Sequence, residues 1–282
     1  MSMEEIKTQT FVSVVLLFVV LIVPSVSYVF YIGNSNTGVP NIDNEIKVMT
    51  YNLHYGIGMD GKFDPSRIAQ FVDSKDIDVV GFEELSHDFI MNTGADFASL
   101  LCLEMKKRGY VYHAFSDIYG AGLFNGIFSK YPIKSFESYK VNPTVVLLRT
   151  VVKATIEING QLVDVFDTHL THIYEDRTNP ERVKQVEFIL DLIKQASNKI
   201  ILMGDFNSLP DWPEIIAIKN YGLTDAFATT NPNNNTATWP ANYPYLHIDY
   251  IFLSTDITPI STIIYKTTIS DHLPLVATVQ LS

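Results

Sequence analysis

Apolar positions fall into two regimes along this chain. From Phe11 to Ile32 they run together as FVSVVLLFVVLIVPSVSYVFYI, interrupted only by Ser13, Pro24, Ser25 and Ser27 and free of charge. From residue 45 onward they come in short bursts bounded by turn residues. Ile46–Tyr51, Ile77–Phe82, Leu123–Phe128 and Lys199–Met203 are of strand length and predict buried strands. Val111–Phe115, Ile248–Leu253, Ile260–Tyr265 and Leu275–Leu281 read as further strands. Val145–Ile158 and Gln161–Phe166 flank Asn159-Gly160, a hairpin signal because both residues tolerate the positive φ of a tight turn.

Helical spacing interleaves with these runs. Asp64-Pro65 followed by Ile68, Phe71 and Val72 reads as a capped helix start with an apolar face. A second helix is expected over Asp96–Arg108. A third runs from Asn179-Pro180-Glu181 to about Ala196, with Val183, Val186, Ile189, Leu190 and Ile193 on one side. Asp211 caps a short helix through Ile218. Strict βαβ alternation does not fit this order. The pattern predicts an α+β domain with two packed, mostly antiparallel sheets and helices outside. No internal repeat or second linker interrupts residues 45–282, which read as one domain.

The first apolar stretch is 22 residues long, and a helix of about 20 crosses the hydrocarbon core. Tyr28 and Tyr31 stand where interfacial aromatics belong. The competing reading is a cleaved signal peptide, with apolar core Phe11–Val23 and a small-x-small site at Ser25-Val26-Ser27. Lys7 is the only basic residue before the stretch and Glu4 and Glu5 oppose it, so charge does not set topology. We read residues 11–32 as one N-terminal transmembrane helix, an uncleaved anchor. A short tail (1–10) precedes it and a Gly-, Asn- and Pro-rich linker (33–44) follows.

Composition narrows the classes that remain. The single cysteine, Cys102, excludes an internal disulfide and argues against a Cys-based zinc site. An apolar content of 47% over 282 residues excludes a disordered chain and supplies a sizeable core. The formal net charge is −11, and removing residues 1–40 takes away Lys7, Glu4 and Glu5 and leaves −10. A non-specific nucleic-acid coat would carry a basic stripe instead. An enzyme that meets phosphate through a bound divalent cation remains compatible. The slightly positive mean hydropathy, +0.13, owes most to residues 11–32.

Several buried-looking strands end in polar residues with no evident structural use. The first runs into Tyr51-Asn52-Leu53-His54 and the second into Glu83-Glu84. Later ones end in Asp167-Thr168-His169 and Gly204-Asp205-Phe206-Asn207. His247-Ile248-Asp249 and Ser270-Asp271-His272 accompany the last strands. Each item alone is ordinary turn, cap or surface chemistry. Their recurrence predicts one polar site assembled at one end of a rigid scaffold. His113 and His172 are read as surface or rim residues.

The ordered set resembles the endonuclease/exonuclease/phosphatase superfamily. That group includes pancreatic-type deoxyribonucleases, abasic-site endonucleases, neutral sphingomyelinases and inositol-polyphosphate phosphatases. The matching stretches are Val48–Gly56, Asp78–Leu85, Asn125–Ile133, Val165–Leu170, Met203–Pro210, Ile248–Phe252 and Ser270–Pro274. Two positions depart from the common pattern: Glu83 stands where Gln is frequent, and Asp167 where Asn is frequent. A looser likeness, over Phe82–Ser86, Asn92–Ala95, Asp96–Arg108 and Gly122–Pro132, points toward domains linked to glycosylphosphatidylinositol remodelling.

The resemblance implies a four-layer α/β sandwich and a metal-dependent phosphoesterase site. It makes Glu84 a metal carboxylate, Asn52 a donor of an amide oxygen or a holder of metal-bound water, and Asp271 a further acid near the metal. Mg2+ is the expected cation and Mn2+ the alternative. Asp205 would position or activate the attacking water, and Asn207 would donate to the developing phosphorane. On an extended segment their two-residue spacing puts both side chains on one face. Asp249 and His272 resemble a buried carboxylate–histidine pair that presents an imidazolium to phosphate. His169 would contact the scissile phosphate or leaving group, and Asn125 would bind substrate.

Three functions compete. The first is a membrane-tethered, divalent-metal-dependent phosphoesterase that hydrolyses a phosphodiester, such as a phospholipid head group, by in-line attack of water. Its catalytic domain would lie outside the cell, or be secreted if the segment is cleaved, and would act as a monomer. The second is a secreted or surface nuclease with the same chemistry, which the acidic domain disfavours. The third is an inactive phosphate-binding module, which the survival of Glu84, His169, Asp205, Asn207, Asp249 and His272 argues against.

Overall fold

In the computed structural model the described residues are 44–87, 94–116, 122–141, 149–172, 180–234 and 236–282. The proposed anchor, the N-terminal tail and nearly all of the linker lie outside them. Among the described residues no helix is long and apolar enough to cross a membrane.

Period-two alternation explains the layering. In β1 (Glu45–Asn52), Ile46 and Val48 join the central apolar cluster, whereas Met49 and Tyr51 pack on the other side. β2 (Val79–Ser86) divides likewise between Val79 and the Val80–Phe82 side. Helices α1 (Pro65–Ser74) and α2 (Phe97–Lys106) cover the second cluster with Ile68, Val72, Phe97 and Leu101. Asp64 and Asp96 cap them by accepting from Arg67 N and Ser99 N.

This first sheet continues through β3 (Tyr112–Phe115), β4 (Leu123–Ser129), β11 (Ile257–Ile264) and β12 (Leu275–Leu281), in the order β11-β12-β1-β2-β4-β3. The second sheet is built from β5 (Ile133–Val141), β6 (Arg149–Ile158), β7 (Gln161–His169), β8 (Lys199–Asp205), β9 (Thr224–Asp225) and β10 (Asp249–Leu253). Its order is β5-β6-β7-β8-β10-β9. Val163, Val165, Ile201, Met203, Ile251 and Leu253 face the first sheet. Phe166, Leu202 and Phe252 face α3 (Pro180–Gln195) and α4 (Pro213–Tyr221). The result is helices, sheet, sheet, helices.

Most strand pairs are antiparallel, as the pattern predicts, with one parallel pair in each sheet. These are β1 with β2 and β7 with β8, each joined through a helix. Besides the 3-10 turn at His54–Gly56, three described elements escape the sequence pattern. β5 is an edge strand whose exposed residues alternate poorly. The two-residue β9 and the short helix α5 (Ala226–Thr230) follow Gly222 without an apolar period of their own.

Candidate active site

The two parallel pairs deliver the polar residues to one place. At the carboxyl ends of β1 and β2, Asn52 is level with Glu83. At the ends of β7 and β8, His169 is level with Asp205, and antiparallel β10 begins with Asp249 opposite Asp205. Thr50 and Asn52, Val165 and His169, and Met203 and Asp205 each alternate onto the inter-sheet face. The polar ends therefore cap the central core. Open sheets characteristically bind ligands beyond the carboxyl ends of parallel strands.

Two irregularities aim the side chains. β2 and β4 slip register between Phe82 and Leu85, and Glu84 sits there with φ 59°. The bulge turns Glu84, otherwise on the helix-facing side, into the cavity. Asn207 has φ 48° and its N–H donates to Asp205 Oδ1 at 2.9 Å. This tight turn, rather than a shared strand face, brings Asn207 beside Asp205. Left-handed backbone costs a non-glycine residue of order 1–2 kcal/mol, and Glu84 and Asn207 both adopt it within the site. Gly204 is required for the approach, since a Cβ there would meet the Thr168 carbonyl oxygen at 1.9 Å.

Asp205 is the centre of the cluster. Its Oδ2 lies 3.4 Å from His169 Nε2 and 3.7 Å from His272 Nε2, and accepts from Asn52 Nδ2 at 3.1 Å. His272 Nδ1 is 3.0 Å from Asp249 Oδ2. Burial alone would lower the His272 imidazole, but Asp249 and then Asp205 outweigh it and raise it to about 10. Burial raises Asp205 to about 7, against the pull of His272. His169 is pushed well below the usual histidine range, first by burial and then by Arg149 and the other imidazoles. One histidine is thus charged and the other neutral.

The cluster floors a cavity of about 640 Å³. Glu84, Asp271, His169 and His172 give it polar lining, and Leu123, Trp212, Trp239, Tyr245 and Leu246 give it an apolar and aromatic wall. Trp239 Nε1–H donates to Asp271 Oδ2 at 3.1 Å, tying the wall to the acid.

The sequence-predicted residues fare differently. Glu84, His169, Asp205, Asn207, Asp271 and His272 all line the cavity, and Asp249 is buried behind His272. Asn52 reaches the site with its amide oxygen partly engaged. That oxygen accepts from His54 N–H at 3.0 Å, while Nδ2 bridges Glu84 (3.3 Å) and Asp205. Asn125 is not in the cavity wall. Its Nδ2 donates to the Thr150 carbonyl and its N–H to Ser116 Oγ, so it ties β4 to β6. His172 lies on the rim as read. His113 packs against Phe115 and Phe128, away from the cavity.

Arg149 was missed by the sequence reading. Its signal was available, as a lone charge inside the apolar run Val145–Val152. The aromatic wall was missed because Trp212, Trp239 and Tyr245 follow no period that marks them as neighbours.

Two groups of ligand atoms could serve a cation. Asp205, Asp249 and His272 offer atoms all within 4.8 Å of one another. There, however, both Asp249 oxygens already face the His272 ring at 3.2 and 3.0 Å. Glu84 and Asp271 present carboxylates to the cavity itself, a hard oxygen set suited to Mg2+ or Mn2+ with water completing the shell.

The comparisons agree with this architecture. A search of the curated proteins found no match. Among solved structures, an endonuclease/exonuclease/phosphatase from Beutenbergia cavernae DSM 12333 superposes with TM-score 0.73 at 22% identity, covering 85% of this chain and 72% of that one. Mannosyl-6-phosphatase from Bacteroides thetaiotaomicron VPI-5482 gives 0.67 at 20% identity, covering 83% and 99%. D. rerio TDP2 complexed with a single-strand DNA product gives 0.65 at 23% identity, covering 84% and 100%. Residues 49–272 match the Endonuclease/Exonuclease/phosphatase family, whose members cut phosphate esters. The chain belongs to that family.

Proposed function

We propose that this protein is a membrane-tethered, divalent-metal-dependent phosphoesterase that hydrolyses an amphiphilic phosphodiester, such as a phospholipid head group. The observation that carries the chemistry is Asp205 Oδ2, reached at once by His169 Nε2, His272 Nε2 and Asn52 Nδ2. The preference for an amphiphile rests on the cavity, which joins a charged floor to a wall of Trp212, Trp239, Tyr245 and Leu246. The apolar stretch at 11–32 and the acidic domain favour the same choice over nucleic acid.

The residues divide the work. Asp205, ionised above about pH 7, takes the proton of the attacking water. The His272 imidazolium, held by Asp249, meets the charge that grows on a phosphoryl oxygen. His169 presents a neutral ring to the phosphate or leaving oxygen. Asn207 spends one amide hydrogen on the Leu170 carbonyl at 3.1 Å and has the second to give. A divalent cation held by Glu84 and Asp271 would neutralise non-bridging oxygens and orient the substrate. Asn52 keeps Glu84 and Asp205 in fixed relation.

The test uses the full chain in detergent against bis-p-nitrophenyl phosphate, a phospholipid panel and plasmid DNA, each with Mg2+, Mn2+ or EDTA. Metal-dependent release from lipid, lost in Asp205→Asn, is the expected result. Cutting of DNA but not lipid would make it a nuclease. No metal-dependent turnover, or full activity in Asp205→Asn, would sink the enzyme reading.

A further inference from the structure

The start of β6 carries a guanidinium whose hydrogen bonds end on two imidazoles. Arg149 Nη1 lies 3.1 Å from His169 Nδ1, and Arg149 Nη2 lies 3.1 Å from His172 Nδ1. A guanidinium has no acceptor and does not deprotonate in proteins. Both Nδ1 atoms must therefore supply lone pairs. A neutral imidazole whose Nδ1 accepts carries its proton on Nε2. For His169 that proton points toward Asp205 Oδ2, 3.4 Å away.

We propose that Arg149 is the positioning residue of the reaction centre. It holds His169 and His172 in the Nε2–H tautomer and so makes His169 a neutral hydrogen-bond donor to the phosphoryl or leaving oxygen, not a proton-transfer catalyst. The catalytic half of this statement rests on the phosphoesterase reading.

The surroundings agree. The charged and titratable groups around His169 come from each packed element: Arg149 from β6, His172 after β7, Asp205 from β8 and His272 before β12. Glu84 of β2 acts on Arg149 and His172. His169 itself is 4% exposed. A second imidazolium beside His272 and Arg149 would crowd positive charge around Asp205. Donation by Arg149 to both rings removes that state. It needs the guanidinium fork, because one ammonium cannot span two rings in fixed geometry. Asn125 supports the arrangement by anchoring the Thr150 carbonyl, one residue along the strand.

The experiment is long-range ¹H–¹⁵N correlation of the histidine rings in the full chain in detergent at pH 7. His169→Gln and His172→Gln spectra assign the signals. Wild type is expected to show bare Nδ1 and protonated Nε2 on both rings. In Arg149→Met, His169 should lose the single tautomer, and kcat on the diester should fall about 10- to 100-fold with little change in KM. If Arg149→Met fails to fold, Arg149→Lys carries the test, with the tautomer kept on one ring and lost on the other. A protonated Nδ1 on wild-type His169, or an unchanged ring spectrum in both Arg149 variants, overturns the proposal. Wild type without turnover overturns the phosphoesterase reading and the catalytic half with it, while the spectra decide the tautomer half alone.

Discussion

Glu83 of one sheet and Asp167 of the other place their carboxyl groups against each other in the inter-sheet core, both fully buried. Thr50 Oγ1 donates to Glu83 Oε1 at 2.7 Å. The other three carboxyl oxygens have no other protein donor among the described residues, and a shared proton joins the two groups. Gly81 makes the room, since a Cβ there would stand 2.3 Å from Asp167 Oδ1. Burial raises both acids; Asp167 raises Glu83 further, while the hydrogen bond from Glu83 offsets part of the rise in Asp167.

The stability sign follows from these raised values. The folded pair keeps protons that the unfolded chain gives up, so its contribution is complete below the ordinary carboxylate range. It is lost as pH rises through the pair's folded values. Glu83→Gln with Asp167→Asn replaces the pair by two neutral amides that can bond to each other. The double variant is expected to exceed wild type at pH 8 by about 1–3 kcal/mol, with the gap closing toward pH 5. Thermal melts across pH measure it, and a pH-independent gap would contradict the account.

Activity should be bell-shaped in pH. Asp205 must be ionised and His272 protonated, so kcat/KM rises through about pH 7 and falls near pH 10. Asp249→Asn removes the largest of the charges that lift His272 and leaves burial opposed only by Asp205 and Asp271. The alkaline limb should then move down by several pH units, with a loss of about 100-fold or more at pH 8. An alkaline limb that stays in place in Asp249→Asn would show that His272 is not the group titrating.

The cation assignment is testable without turnover. Mg2+ or Mn2+ should raise the melting temperature of wild type, and Glu84→Gln should weaken the apparent affinity at least about tenfold. Asp249→Asn should retain the shift if Glu84 and Asp271 are the ligands. Loss of the shift in Asp249→Asn alone would move the cation to the Asp205, Asp249 and His272 group.

The aromatic wall should act on the apolar part of the substrate. Trp212→Ala and Tyr245→Ala are expected to raise KM for a lipid diester several-fold while changing bis-p-nitrophenyl phosphate little, as measured in mixed micelles. Equal effects on both substrates would contradict a role in amphiphile selection.

Much of this protein was legible along the chain because its signals are local. Alternation and run length marked most strands, and Asp64 and Asp96 marked helix starts. Glu84, His169, Asp205, Asn207, Asp249, Asp271 and His272 stood out as polar residues after or beside apolar runs. β5 escaped because an exposed edge strand has little apolar pattern to show.

What tertiary structure alone decided is orientation across the gap between sheets. Only the bulge at Glu84 and the left-handed turn at Asn207 show where those side chains aim. Only the β4–β6 contact shows that Asn125 braces a strand. The pairing of Glu83 with Asp167 joins strands far apart in the chain, and that of Arg149 with His169 and His172 closes the open end of the β6–β7 hairpin. The sequence by itself determined which residues end each strand, since periodicity is a property of neighbours. Which of those ends meet, and in which charge state, depends on register, burial and the field of groups from other strands.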